Sequence, residues 1–254
     1  MTHDLDLLAD RLAAAHAGGP PLPARLLQSL DLRDAYWLQD ATLERLGPVA
    51  GWKVGSKGPD SQPHCAPLPL GALHRSGAML PASRFAWRMV ELEVAVRLRI
   101  DLSVGPADRP TPSELAHALD AVLPAFEAVE SRLEDGQNAP PMAKLADLQC
   151  HGALVLGTPS SLAPADVDLR SVQATLWLGQ TCAVDAVGGN PAQDLWALLG
   201  WLARHCTERG TPLRQGQVVT TGSCTGLTAV PPACVARGVL RGIGTVELQY
   251  DPAA

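Results

Sequence analysis

The chain has 254 residues, enough for one large domain or a domain with a small appendage. Its hydrophobic share of 46% against 18% charged residues excludes an intrinsically disordered chain. The formal charge of −6 is spread without a basic block, so nucleic acid is not an expected partner; nor is a membrane, because no run approaches the roughly 18 apolar residues of a span.

The start, MTHDLDLLADRLAAAHAGG, lacks a positive segment followed by an apolar stretch, and no secretory signal is expected. Residues 4–17 instead repeat apolar side chains at helical spacing (Leu5, Leu7, Leu8, Leu12). Residues 32–47 do the same (Leu32, Tyr36, Leu38, Leu43, Leu46), after the breaker Gly18–Pro23. The spacing predicts a helical N-terminal subdomain over residues 1–48 and a β-rich core over residues 49–254. Val49–Val54 reads as a short strand closing on Gly55, and residues 56–81, rich in Pro, Gly and polar groups, as a long loop over a surface or a site. Met89–Ile100 alternates Val90, Leu92, Val94, Val96 and Leu98 with Glu91, Glu93, Arg97 and Arg99, a strand pattern. A helix is predicted over Pro110–Leu123, with Thr111 as N-cap, Pro112 in the first turn and Glu114 three residues after the cap. Further strands are predicted at Ala125–Val129, Gly152–Leu156, Ala174–Leu178, Thr181–Val187, Gln217–Thr221 and Thr245–Tyr250. Between them, Asn190 and Pro191 open a helix reaching about Arg209. Many strands and few helices in mixed order imply an α+β protein, a β-rich roll with helices at its periphery. The six cysteines form no CxxC or CxxH pair, so they read as reduced, mostly buried thiols of a cytosolic protein, and zinc is not expected.

The chemistry concentrates in Glu91-Leu92-Glu93. In a strand, residues i and i+2 share a face, which sets these carboxylates side by side, roughly 7 Å apart at Cα. Buried together without a cation they would repel each other. A hard divalent ion with oxygen ligands resolves the conflict; an isolated pair of this kind is otherwise a solvated strand face. Glu127 is a third acid inside an apolar strand, although pattern alone does not show that the two strands meet. Lys53, in a strand turning at Gly55, suits a clamp for a substrate carboxylate or an enolate, or a surface position. Ser223 and Thr225, in the turn Gly222–Gly226, offer hydroxyls to a carboxylate or serve the turn itself. Gly222–Gly226 is not a GxSxG elbow. His151 and His205 read as core or helix-face residues.

Seven segments in order resemble one family. Asp34-Ala35-Tyr36 with Gln39 is similar to a helix before its core, and Gly51-Trp52-Lys53-Val54-Gly55 to its GxKxG strand. Glu91-x-Glu93-x-Ala95 and Pro124-Ala125-x-Glu127 resemble its metal-binding strands. Ala146-Asp147 with Gly152 and Leu156-Gly157, then Gly188–Pro191 with the Trp201-Leu202-Ala203 helix, and then 216–225 complete the series. The family is the fumarylacetoacetate hydrolase superfamily, in its 2-keto-4-pentenoate hydratase and 4-oxalocrotonate decarboxylase branch. The resemblance implies a fumarylacetoacetase C-terminal-like mixed β-sandwich roll, Mg²⁺ or Mn²⁺ on Glu91, Glu93 and Glu127, and a small 2-oxo acid substrate. It implies a catalytic Lys53, with substrate binding by Lys53, Ser223 and Thr225; Asp147 either assists catalysis by orienting Lys53 or a water, or begins a turn before the next strand. The chain departs from the pattern where the branch carries a loop acid: it reads Gln62-Pro63-His64-Cys65, which nominates His64 as proton carrier. Glu130 also stands for an aspartate, and Leu148 for the asparagine of ADN. The expected reaction is hydration of a 2-hydroxydienoate or 2-oxo-4-enoate through an enolate. Decarboxylation, acylpyruvate hydrolysis and an inactive binding module are the alternatives, and a divalent-metal requirement separates the last from the rest. Exposed sheet edges and an apolar helix face lead us to expect a homo-oligomer, dimer or higher.

Overall fold

The computed structural model describes residues 5–252; the first four residues of the expected subdomain 1–48 and the last two of 49–254 lie outside the described residues. In chain order the strands are β1 (Leu22–Pro23), β2 (Val49–Gly55), β3 (His64–Pro69), β4 (Leu73–Arg75), β5 (Ala78–Leu80), β6 (Met89–Leu98), β7 (Leu119–Val129) and β8 (Leu133–Glu134). They continue as β9 (His151–Leu156), β10 (Gln173–Leu178), β11 (Thr181–Val187), β12 (Val218–Ser223), β13 (Thr228–Ala229), β14 (Val235–Leu240) and β15 (Gly244–Tyr250). The helices are α1 (Leu5–His16), α2 (Leu32–Leu46), α3 (Pro112–His117), α4 (Pro141–Ala146) and α5 (Leu195–Glu208). None of the described helices is long and apolar enough to cross a membrane.

Two sheets carry the fold: an eight-stranded one in the order β3-β2-β12-β6-β7-β9-β4, with β13 on β6, and a five-stranded one in the order β11-β10-β14-β15-β5. Strand alternation divides the larger sheet cleanly. Trp52, Val54, Leu92, Val94, Phe126 and Val155 enter the main core, which also takes Leu176, Leu240 and Leu248 of the second sheet and Leu198 and Leu202 of α5. The opposite side carries a second, small apolar cluster that includes Leu68, Ala95, Leu123, Ala125, Leu154 and Val218. By the same period of two, Glu91, Glu93 and Glu127 lie on that second side.

The helical N-terminus forms as the periodicity predicts, with α2 started by a capping box between Asp31 and Asp34. Leu8, Leu12 and Leu38 join the same buried cluster as the strands, so α1 and α2 rest on the body of the fold. Residues 56–81 correct the sequence reading. They are not one long loop: β3 runs antiparallel to β2, β4 parallel to β9, and β5 parallel to β15. Pro67 and Pro69 are tolerated because β3 is an edge strand, where a missing N–H breaks no ladder. The helix over Pro110–Leu123 stops at His117, and β7 begins at Leu119; the capping box of Thr111 and Glu114 is present. Residues 121–129 are buried on both faces, and such a run carries no period to separate strand from helix. Asn190 does not open α5, which is capped by Asp194; its amide instead donates to the carbonyls of Thr221 and Gly222. Strand β14 had no counterpart in the sequence reading.

Candidate active site

Antiparallel pairing of β6 with β7 sets Glu91 directly opposite Glu127, with Glu93 two residues along the same face. Carboxylate oxygens of the three lie within 4.8 Å of one another. Glu93 and Glu127 are 2% and 1% exposed, and Glu91 is half-buried. Burial, reinforced by the charge of Glu127, pushes the carboxyls of Glu91 and Glu93 well above the usual carboxylate range. Glu127 moves the other way: burial would raise it, but Lys53 and His151 outweigh burial and hold it ionised.

Lys53 reaches the trio from β2. Its Nζ lies 2.5 Å from Glu127 Oε1 and donates to the carbonyl of Gln149 at 3.2 Å. Burial works against the ammonium, but Glu127, Glu91 and Glu93 together raise its pKa above the ordinary lysine value. The strand comes this close to β12 only because residue 51 is glycine; a Cβ there would stand 2.0 Å from the Val218 carbonyl oxygen. Thr220, opposite Lys53, places a buried hydroxyl without a partner on the same face.

Two bulges complete the site. Register slips between Thr220 and Ser223 turn Ser223 opposite Glu93, and Gly222, at φ +94°, donates its N–H to Glu93 Oε2 at 2.9 Å. A second slip, at Ala128/Val129, pairs Val129 with His151 instead of Gly152. This turns the buried His151 onto the acid face, where Nδ1 stands 3.0 Å from Glu127 Oε1. Burial keeps His151 below the usual imidazole range, against the pull of Glu127.

The other expected residues are placed differently. Asp147, expected to orient Lys53 or a water or to begin a turn, is fully buried with its carboxylate held by Ser131 Oγ, Arg132 N and Arg132 Nε, all at 2.8 Å, while His16 Nε2 lies 3.4 Å away. It anchors a turn in which Leu148, Gln149 and Cys150 all adopt positive φ, at 46°, 53° and 57°. That turn delivers the Gln149 carbonyl to Lys53 and starts β9 at His151. Thr225 commits its hydroxyl to backbone, accepting from Leu92 N–H and donating to the Gly226 carbonyl. His64 opens edge strand β3 opposite Gly55, half-buried, with a buried Nδ1 that has no partner. Burial, then Lys57 and His205, lower its pKa. His151, read from sequence as a core or helix-face residue, and the Gln149 carbonyl and Gly222 N–H, which the sequence did not single out, reach the site only through a bulge or a turn.

No family model matches the chain. The 2-keto-4-pentenoate hydratase of Paraburkholderia xenovorans (strain LB400) is 30% identical over 251 residues, covering 94% of this chain and 91% of its own. The chain belongs to the 2-keto-4-pentenoate hydratase branch of the fumarylacetoacetate hydrolase superfamily. The branch is one of hydro-lyases. Its fold agrees. The 4-oxalocrotonate decarboxylase of Pseudomonas putida G7, complexed with magnesium and adipate, superposes with a TM-score of 0.86 at 20% identity over 98% of both chains. Fumarylacetoacetate hydrolase from Exiguobacterium antarcticum superposes at 0.62 with 14% identity, over 82% of this chain and 76% of its own. At these identities the likeness is one of fold.

The residues of this hydratase-branch site fit a divalent ion. Glu127 Oε2 is buried and has no hydrogen-bond partner, an arrangement that costs stability unless a cation faces it. Oxygens around an ion at about 2.1 Å lie roughly 3 Å apart when adjacent and about 4 Å when opposite, close to the gathering found here. The donors are all carboxylates, the set preferred by hard ions.

Proposed function

We propose that the protein is a divalent-metal-dependent hydratase that adds water to a small 2-hydroxydienoate or 2-oxo-4-enoate by way of an enolate, with Mg²⁺ or Mn²⁺ on Glu91, Glu93 and Glu127. The observation that carries the proposal is the convergence of three carboxylates, two of them buried and one half-buried, beside Lys53, with Glu127 Oε2 left free. The hydratase names of the relatives that match along most of the chain support the choice of reaction.

The charges favour this reading. Three carboxylates and one ammonium leave the cluster doubly negative when all are ionised, which a divalent ion neutralises. When bound, the ion supplies Lewis-acid charge that stabilises an enolate. Lys53 presents a fixed positive charge to the substrate carboxylate while Glu127 and the Gln149 carbonyl hold its ammonium in place. Ser223, turned onto the face of Glu93, offers a hydroxyl to the same anion. His64, at the head of β3, is the candidate proton carrier in place of the acid usual to the branch. Hydration joins the water oxygen to one alkene carbon and its proton to the enol system, with no change of oxidation state and no bond of the carbon chain broken.

A panel of 2-hydroxydienoates and acylpyruvates with Mg²⁺, Mn²⁺ or chelator, followed by loss of ultraviolet absorbance and by product analysis, tests the proposal. A hydrated product formed only with metal is the expected result. Release of CO₂ or of a cleaved acid would reassign the reaction, and full turnover in chelator would remove the metal from it.

A further inference from the structure

We propose that His151 is a positioning residue: it holds Glu127 to a single ligand oxygen and so biases the centre toward small octahedral ions over calcium. This rests on the metal reading above and concerns how one ligand is presented. The two oxygens of Glu127 are treated unequally. Oε1 receives both the Lys53 ammonium, at 2.5 Å, and His151 Nδ1, at 3.0 Å, while Oε2 receives nothing. Since an ionised carboxylate only accepts, Nδ1 carries the proton of the His151 ring. A carboxylate with one oxygen held by two donors presents only the other to an ion.

The histidine is the durable half of this grip. The Lys53 ammonium is also claimed by the substrate, whereas the ring of His151 is 1% exposed and set by the backbone bulge. The bulge is locked by its neighbour: a Cβ on Gly152 would stand 2.6 Å from both the Ala128 carbonyl oxygen and Phe85 Cε1. Ca²⁺ takes six to eight oxygens and readily binds carboxylates through both, at roughly 2.3–2.6 Å; Mg²⁺ keeps to six near 2.1 Å. Denying Glu127 a second ligand oxygen therefore penalises calcium.

The test titrates Mn²⁺ and Ca²⁺ by calorimetry into the full chain, stripped with chelator, for wild type, His151→Asn and His151→Leu. Asparagine keeps an N–H near the place of Nδ1 and should bind Mn²⁺ like wild type. Leucine removes the donor and should weaken Mn²⁺ by about 10–100-fold, with a smaller change for Ca²⁺, so that the preference narrows. A leucine variant with wild-type affinity and preference overturns the proposal, as does an asparagine variant that loses as much as leucine. Wild-type crystals soaked in Ca²⁺ give a reading that no variant's folding can obscure: Glu127 should bind through Oε2 alone, and bidentate binding overturns the inference. If wild type binds neither ion, the metal reading falls too, whereas tight wild-type binding with an indifferent His151 overturns this inference alone.

Discussion

Replacing Lys53 by methionine separates the structural from the chemical role of its ammonium. The side chain is 13% exposed and its partner Glu127 1%, so the variant strands a buried carboxylate that keeps only His151 as donor. Breaking a buried pair from one side costs roughly 3–5 kcal/mol. The low end applies here, because Glu91 and Glu93 already titrate high and one carboxyl of the cluster can take up a proton. At roughly 2–4 °C per kcal/mol for a domain of this size, the metal-free variant should melt about 6–12 °C below wild type. A divalent ion should raise the melting temperature of the variant, since it faces the carboxylates the lysine left; at a hundred times its Kd an ion stabilises either protein by about 2.7 kcal/mol. Scanning calorimetry with Mg²⁺ and with chelator reads both effects, and the dienoate assay should show no turnover. A metal-free melting point within about 2 °C of wild type would refute the buried pair, and near-normal kcat and KM would refute the substrate clamp.

His64→Asn should remove a limb of the pH profile of kcat/KM, and that limb should lie below the ordinary imidazole value because burial lowers His64; an unchanged profile at normal rate would make it a strand residue only. His16 is held down to about 4 by burial first and by Arg132, against the pull of Asp147. The unfolded chain therefore binds the proton first, and His16 contributes stability that is present above about 6.5 and drains away as pH falls toward about 4. At about 1.4 kcal/mol per unit this amounts to roughly 3 kcal/mol, and His16→Gln should flatten the urea-unfolding stability across that window; a slope like wild type would contradict the buried neutral imidazole. Strand β11 is an open sheet edge with Val187 64% exposed and a single charge, Asp185, so light scattering at micromolar concentration should give at least twice the chain mass, and a monomer would contradict the expected oligomer.

The sequence by itself determined the local features whose physics is local. Helical spacing located α1 and α2, the capping box of Thr111 and Glu114 started α3, and period-two alternation set Glu91 and Glu93 on one face of β6. Order of motifs, more than any one of them, pointed to the family. Tertiary structure alone decided what depends on partners. Pairing of β6 with β7 placed Glu127 across from Glu91, which no property of either strand announces. Prolines that read as loop chemistry sit on an edge strand, because only the sheet order says which strands lack a neighbour. Asp147 matched a motif, yet its carboxylate went to Arg132, a partner that chain position alone does not identify. His151 belonged to the main core by strict alternation, and one extra residue in the ladder turned it onto Glu127. Alternation is a property of the chain, but register belongs to a pair of strands, and the active site was built where the register slips.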